Sequence, residues 1–197
     1  AVSPNNGGYF HPGGTKMLTT LVNQGPLKVT LRVVEKKAPA GRDEWEGQFE
    51  IYPEYVVFTM LVAPYNYWVL YEGTPGGLLT TNSDFVMRSN GTQTLASVAW
   101  EGDLEPEEWA YVGDPVVGRS LFVTNNIEDT KIDSYHQADG LMTVLGLGRK
   151  SASYQLDLTL VPREFTYGLM DETVYEEAKP VIYNAYKPVT ATVGAAE

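Results

Sequence analysis

Residues 44–62 read EWEGQFEIYPEYVVFTMLV, and their periodicity decides the fold class. In the first half, Glu44, Glu46, Gln48 and Glu50 alternate with Trp45, Gly47, Phe49 and Ile51. A period of two puts one set on a wet face and the other against a core, the pattern of a half-buried strand. Its carboxylates share one face, which is therefore solvated or serves a cation or ligand. Pro53 ends the strand. The second half, Tyr55–Val62, is β-branched and aromatic, and apolar on both faces. Such a strand belongs in the middle of a sheet that is covered on both sides. A sandwich supplies that cover and a closed barrel does not. The chain is therefore read as an all-β, two-layer antiparallel β-sandwich of jelly-roll or concanavalin-like type.

The same period extends outward. Upstream, Leu27, Val29, Leu31 and Val33 alternate with Lys28, Thr30, Arg32 and Val34, and Pro39 and Gly41 mark the turn that follows. Downstream, Pro64 interrupts and residues 65–72 (YNYWVLYE) form the next strand. Gly73-Thr74-Pro75-Gly76-Gly77 must then be a tight loop, because its glycines and proline exclude regular structure. Further strands are expected over 84–88, 92–100, 120–125, 142–147, 154–160 and 165–169, at sandwich-like spacing. Residues 1–26 are expected to form an irregular leader and 188–197 a fraying tail. One peripheral C-terminal helix is expected over 171–187, with Thr173 and Glu176 as a capping box and Pro180 placed to kink or divide it. Residues 105–110 read as a second helical turn, Pro106 lying near its start.

Composition sets the outer limits. A length of 197 residues suits a single domain, and 43% hydrophobic with 12% aromatic residues excludes wholesale disorder. The absence of Cys excludes a disulfide scaffold, a thiolate metal site and a cysteine nucleophile. With 14 Lys+Arg against 25 Asp+Glu the net charge is −11, which opposes nucleic-acid binding. No apolar run approaches the roughly 20 residues of a membrane helix, so no membrane insertion is expected. The small residues at the start, Ala1-Val2-Ser3, suit cleavage of a secretory peptide just before them, so a secreted or cell-surface protein is expected.

Four phrases carry a resemblance: Tyr67-Trp-Val-Leu-Tyr-Glu-Gly-Thr-Pro-Gly-Gly77, Met142-Thr-Val-Leu-Gly-Leu-Gly-Arg149, Trp45-Glu-Gly-Gln-Phe-Glu-Ile-Tyr-Pro53 and Phe165-Thr-Tyr-Gly-Leu169. Through them the chain resembles secreted bacterial concanavalin-like β-sandwich proteins associated with polysaccharide degradation, over most of residues 27–170. The resemblance implies fold and setting, and brings no catalytic set with it. The Glu-x-Asp-x-x-Glu strand of retaining glucanases is absent, since residues 44–50 have other spacing and no Asp. The Arg-x-Glu and Gln-x-His strand pairs of alginate-type lyases are absent too.

Candidate site residues follow from chemistry. Tyr65, Tyr67, Trp68 and Tyr71 offer flat amphipathic platforms for the C–H faces of sugars, or are plain core and rim aromatics. Glu72, where a strand enters the Gly-Pro loop, is a candidate general acid or cation ligand, or a carboxylate that fixes the loop. His136, in a polar stretch between strands, is either an exposed loop residue or the base of a β-elimination on a uronic-acid polymer. Tyr135 would then protonate the leaving oxygen, with Arg88 or Arg149 neutralising the carboxylate. His11 lies in the leader and is set aside. No cofactor is required. Structural calcium is the candidate ion, with Asp129, Asp133 and Asp139 as its ligands or as part of a solvated acidic surface.

Three functions are therefore carried forward. The first is a secreted protein that cleaves a polysaccharide by lyase or hydrolase chemistry in a sandwich groove. The second is a non-catalytic carbohydrate-binding module whose partner is a polysaccharide or oligosaccharide. The third is a surface or assembly protein. A chain of net charge −11 repels polyuronates unless a local basic groove overrides the global field, whereas neutral glycans meet no such barrier.

Overall fold

The two halves of residues 44–62 become neighbouring strands of the larger of two sheets. The structure, a computed structural model, describes residues 2–4, 10–14, 16–35, 45–63, 67–104, 107–149 and 161–187, and for 2–4 and 149 the backbone alone. Its strands are β1 (Val2–Pro4), β2 (Met17–Gln24), β3 (Val29–Glu35), β4 (Glu46–Ile51), β5 (Tyr55–Val62), β6 (Tyr67–Glu72) and β7 (Phe85–Arg88). They continue with β8 (Gln93–Leu95), β9 (Trp100–Gly102), β10 (Trp109–Asp114), β11 (Arg119–Asn125), β12 (Ile132–Ala138), β13 (Met142–Arg149) and β14 (Arg163–Met170), before helix α1 (Tyr175–Tyr186). Among the described residues they form two antiparallel sheets, ordered β1-β6-β13-β12-β9 and β2-β3-β4-β5-β14-β11-β10-β7-β8. The molecule is an all-β sandwich with one C-terminal helix.

The wet face read from the sequence resolves into cross-strand ion pairs. β3 and β4 lie in register, Thr30 opposite Glu50 and Val34 opposite Glu46. Lys28 bonds Glu50 at 2.5 Å and Arg32 pairs with Glu46. Alternation on two strands thus places cations beside carboxylates, each such pair adding about 0.2–1 kcal/mol. The opposite face of the same strands is dry. Val33, Trp45, Phe49, Phe58, Met60, Tyr67 and Phe165 meet there with Phe10. A second interior cluster joins Val86, Trp100, Val112, Val123, Tyr135, Leu145 and Leu147 between the sheets.

Over β7, β10, β11 and β14 the outer face of the large sheet is covered by α1, which packs Ala178 and Ile182 on Phe85, Met87, Trp109, Tyr111, Phe122 and Met170. Trp109 is fully buried and stacks on Tyr175 at 5.9 Å. Burial of each large apolar side chain here contributes about 1.5–3 kcal/mol, so packing holds the helix in place. No capping box forms. The N-cap is Val174, which makes no side-chain cap, and the carbonyl of Thr173 instead accepts the Tyr111 hydroxyl at 2.9 Å. Pro180 sits inside a helix that continues on both sides of it.

Other expectations are corrected. The leader is not irregular throughout, since β1 pairs with β6 and β2 with β3. Residues 92–100 do not form one strand but contribute to β8 and β9 around a turn. Residues 109–110, read as part of a helical turn, open β10. The stretch around His136, read as polar and between strands, is β12, buried along its first half. The strand expected over 154–160, the residues Glu105 and Pro106, and the tail 188–197 lie outside the described residues.

Candidate functional site

The inner face of the large sheet and strand β6 of the small one enclose a cleft of about 740 Å³. Phe49, Ile51, Val56, Phe58, Leu121, Val123 and Tyr167 form its wall on the large sheet, with Val69, Leu70 and Tyr71 from β6. Alternation explains the wall: Val56 pairs with Tyr167 and Tyr167 with Val123, so inward positions of β5, β14 and β11 stand side by side. Tyr52, Glu54, Tyr55, His11, Arg119 and Asp171 lie around the cleft. Tyr52 and Tyr55 stack at 4.6 Å with their planes 20° apart. Arg119 Nε bonds Asp171 Oδ1 at 2.6 Å, an exposed pair. Burial pushes the Tyr167 hydroxyl up to about 12, so it stays protonated and offers a hydrogen-bond donor.

The Gly-Pro loop follows the end of β6, two residues after Tyr71, and none of its residues lines the cleft. Thr74 and Gly77 exchange backbone hydrogen bonds across it. Gly73 has φ +93°, and a Cβ there would overlap the Gly77 carbonyl oxygen. Asp114 anchors the loop, accepting the Thr74 hydroxyl at 3.3 Å and the amides of Val116 and Val117 at 2.9 and 3.1 Å.

Of the residues singled out from sequence, Tyr71 reaches the cleft wall. Tyr67 does not serve as a platform, because it is fully buried and edge-on to Trp45 at 5.9 Å. Trp68 alternates with Tyr67 and Val69 and so faces the other way, half-buried. Glu72 is exposed at the end of β6. Tyr65 and the Arg149 side chain lie outside the described residues.

The β-elimination set does not assemble. Tyr135 and His136 are consecutive in β12 and point to opposite faces of the sheet. Tyr135 is fully buried in the core and donates its hydroxyl to the Ala96 carbonyl at 2.9 Å. Arg88 is turned inward, 4.8 Å above the Trp100 ring, and burial lowers its pKa. Glu72 pairs with Met142 and His136 with Val144, so the two are offset by two strands and two residues. That offset is about 12 Å.

The acidic residues proposed for calcium divide. Asp139 is exposed in the β12–β13 turn, six residues along the strand direction from Asp133, or about 20 Å. The three carboxylates therefore do not surround one ion, and among the described residues no group of three or more acidic or histidine side chains is placed to hold a metal. Asp129 and Asp133 instead join a buried network that the sequence reading missed, at the end of the sandwich opposite the cleft. Asp133 accepts the amides of Leu104 and Gly148 at 2.9 and 2.7 Å. Asp129 accepts Arg163 Nη2 at 3.1 Å, and Glu108 accepts the Asp129 amide at 2.5 Å and the Asn125 side chain. Burial pushes Glu108 up to about 7 and Asp133 up to about 6, with neighbouring carboxylates adding to both. Every carboxylate here has a structural duty, so the network is a fastener between the sheets.

The cleft residues that sequence reasoning missed had a signal. Tyr167 and Leu169 alternate with Thr166 and Gly168, and Tyr52 and Tyr55 flank the Pro53 turn. Arg119 and Asp171 gave none, because their meeting depends on the β11–β14 pairing. Comparison with protein-family models, curated proteins and solved structures finds no match to this chain.

Proposed function

We propose that the protein binds a carbohydrate without cleaving it, holding a short run of sugar rings in the inter-sheet cleft. The observation that carries this reading is the cleft itself: about 740 Å³, apolar and aromatic within, with charged groups around it. That volume falls in the range of small-ligand sites, roughly 300–1,000 Å³. Tyr71 and Tyr167 present flat rings with hydroxyl tips, suited to the C–H faces and hydroxyls of a sugar. Binding is preferred to cleavage because the described acid–base candidates scatter over both faces of the small sheet. At the cleft, Asp171 is already engaged by Arg119. The net charge of −11 favours a neutral glycan over a polyuronate. The resemblance noted from sequence supports a secreted or surface setting.

Calorimetric titration against a panel of neutral and acidic oligosaccharides tests the reading, with reducing ends and unsaturated uronate followed in parallel. Binding of a neutral oligosaccharide, with no new ends, is the expected result. New chain ends would replace binding by catalysis, and heat from none of the panel would remove the carbohydrate reading.

A further inference from the structure

β2 is the edge strand of the large sheet, with β3 as its neighbour on one side and none on the other among the described strands. Seven of its eight residues are exposed. Leu18, Leu21 and Val22 are 54, 55 and 56% exposed. Its sequence, MLTTLVNQ, contains no charge and no Pro. Natural edges are blunted by Lys, Pro or inward-pointing charges, and none of these is present here. One protection exists: a bulge between Leu21 and Asn23 breaks the ladder with β3, so the regular edge runs from Met17 to Leu21.

We infer that β2 is an association edge, and that its partner is β2 of a second copy of this chain, joined antiparallel about a two-fold axis. The chemistry of the edge dictates the class of partner. A row of backbone donors and acceptors is satisfied in full by another extended strand. Charge selects among strands. Two copies each carrying −11 repel over most of their surfaces, but β2 against β2 brings neutral residues together. Antiparallel pairing centred on Thr19 sets Thr19 opposite its own copy, Leu18 opposite Thr20 and Met17 opposite Leu21. Thr–Thr and apolar cross-strand pairs of this kind are favourable. The arrangement is isologous, so it closes at two copies and does not propagate. The contact is independent of the cleft and of the function proposed for it.

The chain has no Cys, which makes the test clean. In the proposed register the two Thr19 Cα atoms stand about 4.5–5.5 Å apart, within the span of a disulfide. Thr19→Cys is therefore expected to form an intermolecular disulfide under mild oxidation, while Ser97→Cys, on an exposed turn elsewhere, stays monomeric. Sedimentation of the unmodified chain from about 1 µM to about 1 mM is expected to show the 21.8 kDa species doubling in mass. Thr20→Lys, an exposed substitution that leaves the core untouched, is expected to abolish the doubling with the far-ultraviolet spectrum unchanged. A monomer across the whole range would overturn the inference. So would a dimer that survives Thr20→Lys, since the contact would then lie elsewhere.

Discussion

The Arg163 guanidinium lies 3.1 Å from the Asp129 carboxylate and 3.0 Å from the Gly148 carbonyl, fully buried where the two sheets meet. Its carboxylate partner is Asp129, which in turn neighbours Glu108 and Asp133. Removing the guanidinium leaves the largely buried Asp129 carboxylate without its counter-charge, which costs about 3–5 kcal/mol. Arg163→Leu is therefore expected to lower the urea midpoint sharply with little change in slope. Asp129→Asn, which keeps an acceptor for Nη2, is expected to cost clearly less. A loss in Asp129→Asn as large as in Arg163→Leu would show that the ion pair itself, rather than the Arg163 stem and its bond to Gly148, holds the joint.

The same network makes stability depend on pH in an unusual direction. Glu108 rises from 4.5 to about 7 and Asp133 from 3.8 to about 6 on folding, chiefly through burial. The folded chain therefore holds protons that the unfolded chain has released. This contribution is fully present below the unfolded values, declines as pH rises through them, and is lost above about pH 7. The expected difference between pH 5 and pH 8 is on the order of 2 kcal/mol in favour of the acid side. Glu108→Gln mimics the protonated acid and should flatten the profile. Thermal unfolding across that range checks both statements, and a profile that climbs from pH 5 to pH 8 would contradict the burial argument.

Glycine geometry yields a third expectation. Gly148 has φ +67°, and a Cβ there would overlap the Arg163 guanidinium and approach the Asp129 carboxylate at 2.5 Å. Gly73 has φ +93° against the Gly77 carbonyl. Alanine at either site meets strained backbone and a steric block together, so a loss of at least about 2 kcal/mol is expected from each. Gly118 has φ +72° with open space around it, and Gly118→Ala should cost less, about 1 kcal/mol. Denaturant unfolding of the three variants separates backbone strain from the clash.

These features differ in how far they can be read from the chain. Strand β5 runs over Tyr55–Val62 as expected, because a charge-free run of β-branched and aromatic residues has one stable environment, the middle of a sheet. The wet face of β4 was equally legible; its pairing with Lys28 and Arg32 needed the register. β12 was missed because Asp133, Ser134 and His136 look like loop chemistry. Asp133 is buried there because the amides of Leu104 and Gly148 reach it from distant elements. The opposed directions of Tyr135 and His136 were within reach of sequence alternation once that segment is taken as a strand. Arg163 was invisible as a site residue, since its partners come from β13 and the β11–β12 connection.

The cleft gives the prediction that bears most directly on function. Leu169 is 53% exposed beside Tyr167 and lines the cleft, so a larger side chain there narrows the opening without entering the core. Leu169→Trp is expected to weaken binding of a neutral oligosaccharide about tenfold, with stability changed by less than about 0.5 kcal/mol. Tyr71→Ala removes a ring from the wall and should cost about the same affinity, the equivalent of one aromatic contact. Glu72→Gln and His136→Ala stand on the far face of β6 and β12 and should leave affinity unchanged. Titration of the four variants against the oligosaccharide that the unmodified protein binds provides the check. Loss of affinity in Glu72→Gln or His136→Ala, with Leu169→Trp unaffected, would move the binding surface out of the cleft and onto the outer face of the small sheet.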